Sequence, residues 1–176
     1  DSTPEGSETA PEPAGDSSPE SSGGRGRGEG DLLRILYWQA PPMLNPHFAN
    51  GNLISAPAAI VLEPIVRVTP AGEIVPVQCV EAPSLENGGI SEDGKTITYT
   101  LLEGLLWSDG TPVTSDDAKF TWEGVTDPAA GTTSSPAFAN IEDIEVVDER
   151  TFKIHLNGPD PAWYNIFGRG TSNGAP

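Results

Sequence analysis

The residues with the most obvious chemical potential are carboxylates: 26 Asp and Glu stand against 9 Lys and Arg in 176 residues. Acid–base catalysis needs two of them converging on one cleft. Asp116 and Asp117 are adjacent in sequence, but their position suits the first turn of a helix, where the dipole favours negative charge. Asp109 precedes a glycine and reads as a turn residue. Glu142, Asp143 and Glu145 read as the solvated face of a strand. His47 and His155 are far apart, and neither sits in a ligand-type motif. The single cysteine, Cys79, allows no disulfide within the chain and no zinc spacing, and reads as a small buried residue. No serine occupies a nucleophile elbow and no phosphate loop is present. The expectation is therefore a non-enzymatic chain with no catalytic residue, metal or cofactor. The aromatic residues remain. Trp107 and Trp122 could be stacking platforms, but each falls on an apolar face of a regular pattern, which favours core packing. Trp38, Gln39, Ala40 and Pro41 lie at the carboxyl end of the first expected strand, where open α/β sheets place ligands. They are the first candidates for ligand binding, with Trp163 and Phe167 second; a packed strand end is the plainer alternative.

The elements that would position these residues are clearest over residues 91–123. Asp93-Gly94 signals a turn. Ile97, Tyr99 and Leu101 then alternate with Thr96, Thr98 and Thr100, the pattern of a strand with one apolar and one hydroxyl face. Leu105, Leu106 and Trp107 form a short apolar run closed by Asp109-Gly110. Thr114 is a good N-cap, and Asp117 three residues on completes a capping-box pattern. Ala118, Trp122 and Val125 recur at helical spacing.

This unit resembles the N-terminal signature region of the family 5 extracytoplasmic solute-binding proteins, the peptide- and nickel-type binding components of ABC importers. The matching residues are Ser91-Glu92-Asp93-Gly94-Lys95-Thr96, Leu101 to Gly104, Trp107-Ser108-Asp109-Gly110-Thr111-Pro112-Val113-Thr114, Asp116-Asp117 and Phe120-Thr121-Trp122-Glu123. Their order and spacing are far more specific than a lone short motif. Leu44-Asn45-Pro46-His47 resembles the family's Leu-x-Pro-His loop after the first strand. Residues 79–89 depart from the common Ala-Glu-Ser-Trp block. The resemblance covers residues 32–170, the N-terminal portion of the family.

Elsewhere the pattern is coarser. Residues 1–30 are mostly Pro, Gly, Ser and Glu, with seven acids, two arginines and no aromatic residue; they read as a disordered acidic tether. Residues 31–176 read as the folded part. Residues 32–38 form a near-continuous apolar run, expected as a buried strand ending before Pro41-Pro42. Residues 52–66 read as a helix capped by Asn52 or Ser55 and ended or kinked at Glu63-Pro64. Phe152, Ile154 and Leu156 alternate with polar residues after Asp148-Glu149-Arg150, the pattern of a β-hairpin. Residues 162–167 could start a helix.

The expected class is α/β to α+β, with a mixed sheet, β-hairpins and a few helices; the resemblance makes it the N-terminal part of a two-lobed periplasmic-binding-protein type II fold. It further implies capture of an oligopeptide or similar small solute, delivery to ABC permease subunits, and a monomer. The net charge of −17 argues against nucleic acid. The acidic leader resembles the tether of a mature bacterial lipoprotein. The expected location is the periplasm or the outer face of the cytoplasmic membrane, with a lipid anchor and signal peptide lost in trimming. A structural remnant or a secreted hydrolase accessory domain is the alternative. The ligand's identity, whether peptide, nickel chelate or oligosaccharide, stays open.

Overall fold

The structure, a computed structural model, describes residues 35–48 and 52–169. The expected tether and residues 32–34 of the expected first strand lie outside the described residues. The chain divides into two units, residues 1–37 and 38–176. Of the first, residues 35–37 have no regular secondary structure. The expectation of a strand ending at Trp38 is thus corrected for its described part: Leu36 is 99 % and Trp38 74 % exposed. A continuous apolar run marks a buried strand only where sheet neighbours flank it.

The second unit holds two three-stranded sheets. The first is mixed, in the order β2-β1-β6. Strands β1 (Val66–Val68) and β2 (Ile74–Pro76) form an antiparallel hairpin, and β6 (Gly168–Arg169) lies parallel to β1. The hairpin turns at Gly72, whose φ of 85° suits glycine. Before it, helix α1 (Asn52–Val61) is shorter than expected. Pro64 bars continuation, and Ile65 and Val66 leave the helix to become buried in and beside β1. Ser55 lies inside α1 and is not its cap, and Pro57 sits in the helix interior rather than its first turn.

The second sheet is antiparallel, in the order β3-β5-β4. Strand β3 (Thr96–Thr100) pairs with β5 (Thr151–Leu156), which pairs with β4 (Ile141–Val146). The register sets Tyr99 opposite Phe152 and Ile97 opposite Ile154. The period of two then puts Ile97, Tyr99, Phe152, Ile154 and Leu156 on one buried face. Tyr99 and Phe152 stack with centroids 5.3 Å apart, and Trp163 tilts against Tyr99 at 6.2 Å. Burial pushes the Tyr99 phenol well up, so it stays neutral. The β4–β5 turn is fixed by Asp148, whose Oδ1 accepts the N–H groups of Arg150 and Thr151 at 2.9 and 2.8 Å. Residues 163–165 form one 3₁₀ turn rather than an α-helix.

Helix α2 (Ser115–Thr126) packs along β4 and buries Ala118 and Val125, with Trp122 against the same core. Its start is specified locally. Thr114 N–H donates to Asp117 Oδ2 at 2.7 Å, the reach-back half of a capping box. The Trp107 indole N–H donates to the same oxygen at 3.3 Å, tying the preceding hairpin to the helix. Trp107 is nonetheless 45 % exposed, which corrects the expectation of core packing. Residues 105–107 belong to a hairpin bridged by Leu106 and Pro112; Leu105 packs against the core, while Leu106 and Trp107 are exposed. Asp117→Ala removes both bonds. It is expected to cost about 1 kcal/mol, seen as a lower urea midpoint with an unchanged slope.

Candidate functional site

Two loops far apart in sequence meet at one seam. The first is residues 44–48. Pro46 follows Asn45, whose side-chain Oδ1 accepts the N–H of His47 at 2.9 Å, an Asx turn of the kind such residues favour. The second, residues 132–138, runs into the short helix α3 (Ser135–Phe138), with Pro136 in its first turn. The Thr133 N–H donates to the His47 carbonyl at 2.8 Å. The Ser134 hydroxyl lies 2.8 Å from His47 Nδ1 and 3.4 Å from its carbonyl oxygen, and can donate to one at a time. The imidazole meets Phe138 edge-on at 5.9 Å. Phe138 in turn meets Phe167 at 5.6 Å, and Phe167 meets Phe152 at 6.0 Å. A line of rings thus runs from the half-buried His47 to the centre of the second sheet.

Desolvation holds the His47 imidazole below its ordinary value of 6.5. The neutral ring offers one donor and one acceptor beside a hydroxyl. Protonation favours the unfolded state here, because a released His47 takes up a proton more readily than a packed one. The seam's contribution to stability is therefore complete above about pH 6.5 and is lost as pH falls below it. An NMR titration of the His47 ring protons is expected to give a midpoint below 6.5, with the ring's contact to Phe138 loosening on the acid side.

Of the residues expected from sequence to bind ligand, Trp38, Gln39 and Ala40 are exposed and Pro41 is half-buried, in the chain leading to the first loop. Phe167 belongs to the ring line behind the seam. Trp163 is buried beside Tyr99 and lines a separate groove. Sequence reasoning passed over His47, Ser134 and Phe138. The one signal for His47 was its place in the Leu-Asn-Pro-His loop; nothing local marks Ser134, since its partner is 87 residues away. Among the described residues, no cluster of three or more His, Cys, Asp and Glu could hold a metal ion, and no helix is long and apolar enough to cross a membrane.

Residues 82–173 match the sequence profile of bacterial extracellular solute-binding proteins, family 5, middle region. That stretch is more than half of the chain. The chain belongs to this family. Family 5 relatives align over most of its length. The oligopeptide-binding protein OppA of Bacillus subtilis is 28 % identical over 159 residues, covering 79 % of this chain and 28 % of OppA. The murein peptide-binding protein MppA of Escherichia coli is 30 % identical over 156 residues, covering 77 % of this chain and 27 % of MppA. The chain thus spans a little over a quarter of the length of these relatives. Among solved structures, the unliganded open form of MppA superposes with a TM-score of 0.63 at 28 % identity, covering 73 % of this chain and 27 % of that one. Haemophilus influenzae OppA, solved with the peptide RPPGFSPFR, gives 0.60 at 27 % identity, covering 69 % and 26 %. The fold described above is therefore the N-terminal part of a two-lobed periplasmic binding protein, as the family 5 signature implied.

Proposed function

We propose that this chain is the solute-capturing component of an ABC importer, working in the periplasm or on the outer face of the cytoplasmic membrane. It takes an oligopeptide or a similarly small solute and hands it to permease subunits in the membrane. The observation that carries this reading is the family 5 match across residues 82–173, joined to superposition on peptide-binding relatives. In this reading residues 38–41 and the seam of His47, Ser134 and Phe138 face the solute from the N-terminal lobe. Surface loops on a rigid scaffold commonly carry binding residues, and the second sheet with its ring line is such a scaffold. An extended peptide laid along residues 38–41 would gain affinity from main-chain hydrogen bonds, with loose side-chain specificity. Hinge closure of the second lobe then creates the form that the permease accepts. The role is binding, not catalysis.

Calorimetric titration of the full-length gene product with peptides of two to five residues tests the proposal. Saturable heat and a raised thermal midpoint are expected; at a hundredfold excess over Kd, ligand binding stabilises by about 2.7 kcal/mol. A folded protein that shows neither heat nor a midpoint shift with peptides, a nickel–histidine chelate or an oligosaccharide overturns it.

A further inference from the structure

A second concavity lies apart from the seam. It is an open groove of about 380 Å³. None of its lining residues belongs to residues 38–48 or 132–138. Leu85, Ile90, Pro159 and Trp163 give it an apolar surface. Leu85 is 65 % exposed, a large aliphatic side chain held out on a loop.

That loop is fixed in advance. Asn87 Oδ1 accepts the N–H groups of Ser84 and Gly89, both at 2.9 Å, while Asn87 Nδ2 donates to the Ala82 carbonyl at 3.0 Å. The Ile90 N–H closes the loop onto the Ser84 carbonyl at 2.9 Å. The facing wall approaches so closely at Gly94 that a side chain there would stand 3.2 Å from Pro159 Cβ. A surface ordered before binding loses little entropy on binding.

The rim is acidic. Glu92, Asp93 and Asp160 line the groove, and none forms an ion pair with a side chain among the described residues. The Lys95 ammonium acts on Asp93 and offsets part of its charge, while three carboxylates line the groove and leave the rim net negative. Each aspartate spends only Oδ1 on its own turn. Asp93 Oδ1 accepts the Ser91 hydroxyl at 2.6 Å and the Lys95 N–H at 3.1 Å, and Asp160 Oδ1 accepts the Ala162 N–H at 2.8 Å. The two Oδ2 atoms accept no hydrogen bond among the described residues, so they are available to a cation.

We propose that this groove docks a polypeptide segment that carries Lys or Arg beside an aliphatic or aromatic anchor, the anchor lying on Leu85 and Trp163 and the cation meeting Asp93 and Asp160. The chain's net charge of −17 draws such a segment in and repels a second copy of itself. The groove is independent of solute capture at the seam.

The test is a ¹⁵N NMR titration of the 176-residue chain with acetyl-Lys-Leu-Phe-Lys-amide as probe. The expected result is saturable shifts at the amides of Ile90, Gly94 and Ile97 and at the Trp163 indole, weakening as salt is added. Asp93→Asn and Asp160→Asn keep their Oδ1 acceptors and hence their turns. Each is expected to weaken the probe about two- to fivefold, the range for an exposed charge pair. Equal binding of acetyl-Glu-Leu-Phe-Glu-amide, or an unchanged response in both Asn variants, overturns the proposal. Shifts confined to residues 38–48 and 132–138 also overturn it, while leaving solute capture at the seam intact. Groove shifts that appear without probe as protein concentration rises show self-association, and likewise overturn it.

Discussion

Phe152→Ala is expected to destabilise the chain by about 3–5 kcal/mol. The ring is fully buried at the centre of β3-β5-β4, stacked on Tyr99 and edge-on to Phe167. Truncation removes both contacts and leaves a cavity that neighbouring strands cannot close without losing register with Tyr99 and Val146. A domain with 5–15 kcal/mol in hand loses a large part of its stability. Denaturant unfolding should show the midpoint falling accordingly, and the ring line to His47 should lose its anchor at the same time. Phe120→Ala supplies the contrast. Phe120 is 75 % exposed on α2, and its loss is expected to stay within about 0.5 kcal/mol. Similar losses for the two variants would mean the sheet's apolar face is not the core.

Gly168→Ala is the second large effect. A methyl group there would run into the backbone carbonyl of Tyr164 and press on the Val66 side chain at 3.1 Å. A backbone carbonyl cannot rotate away as a flexible side chain does. The strand must therefore move off β1, breaking the parallel pairing of Val66 with Gly168 and of Arg67 with Arg169. Overpacking of this kind costs about 1–3 kcal/mol. The loss should be local as well as global: amides of β1 and of the 163–165 turn should exchange faster, while β4 and β5 hold. Gly168→Ala at wild-type stability would show that β6 is not paired as described.

The legible parts of this fold were those whose determinants are local. The alternation of Ile97, Tyr99 and Leu101, the Thr114–Asp117 cap and the Phe152–Leu156 strand each carry their own periodicity or turn chemistry. Trp107 misled because three apolar residues in a row do not say which of them faces in. Here Leu105 packs against the core, while Leu106 and Trp107 stay exposed. Residues 35–38, the described end of the expected first strand, have no regular secondary structure, since an apolar run records composition and not pairing. The seam was least legible. His47 and Ser134 are joined only by the tertiary fold, and neither has a local pattern that predicts the other. Trp163, expected as a ligand contact, is buried beside Tyr99 and lines a groove distinct from the seam.

Amide hydrogen exchange of the full-length gene product, with and without saturating peptide, tests the central claim most directly. Solute capture at the seam predicts slower exchange on binding in residues 38–48 and 132–138, with the β3-β5-β4 core unchanged because it is already protected. Peptide binding that leaves both loops exchanging at their free rates would contradict it.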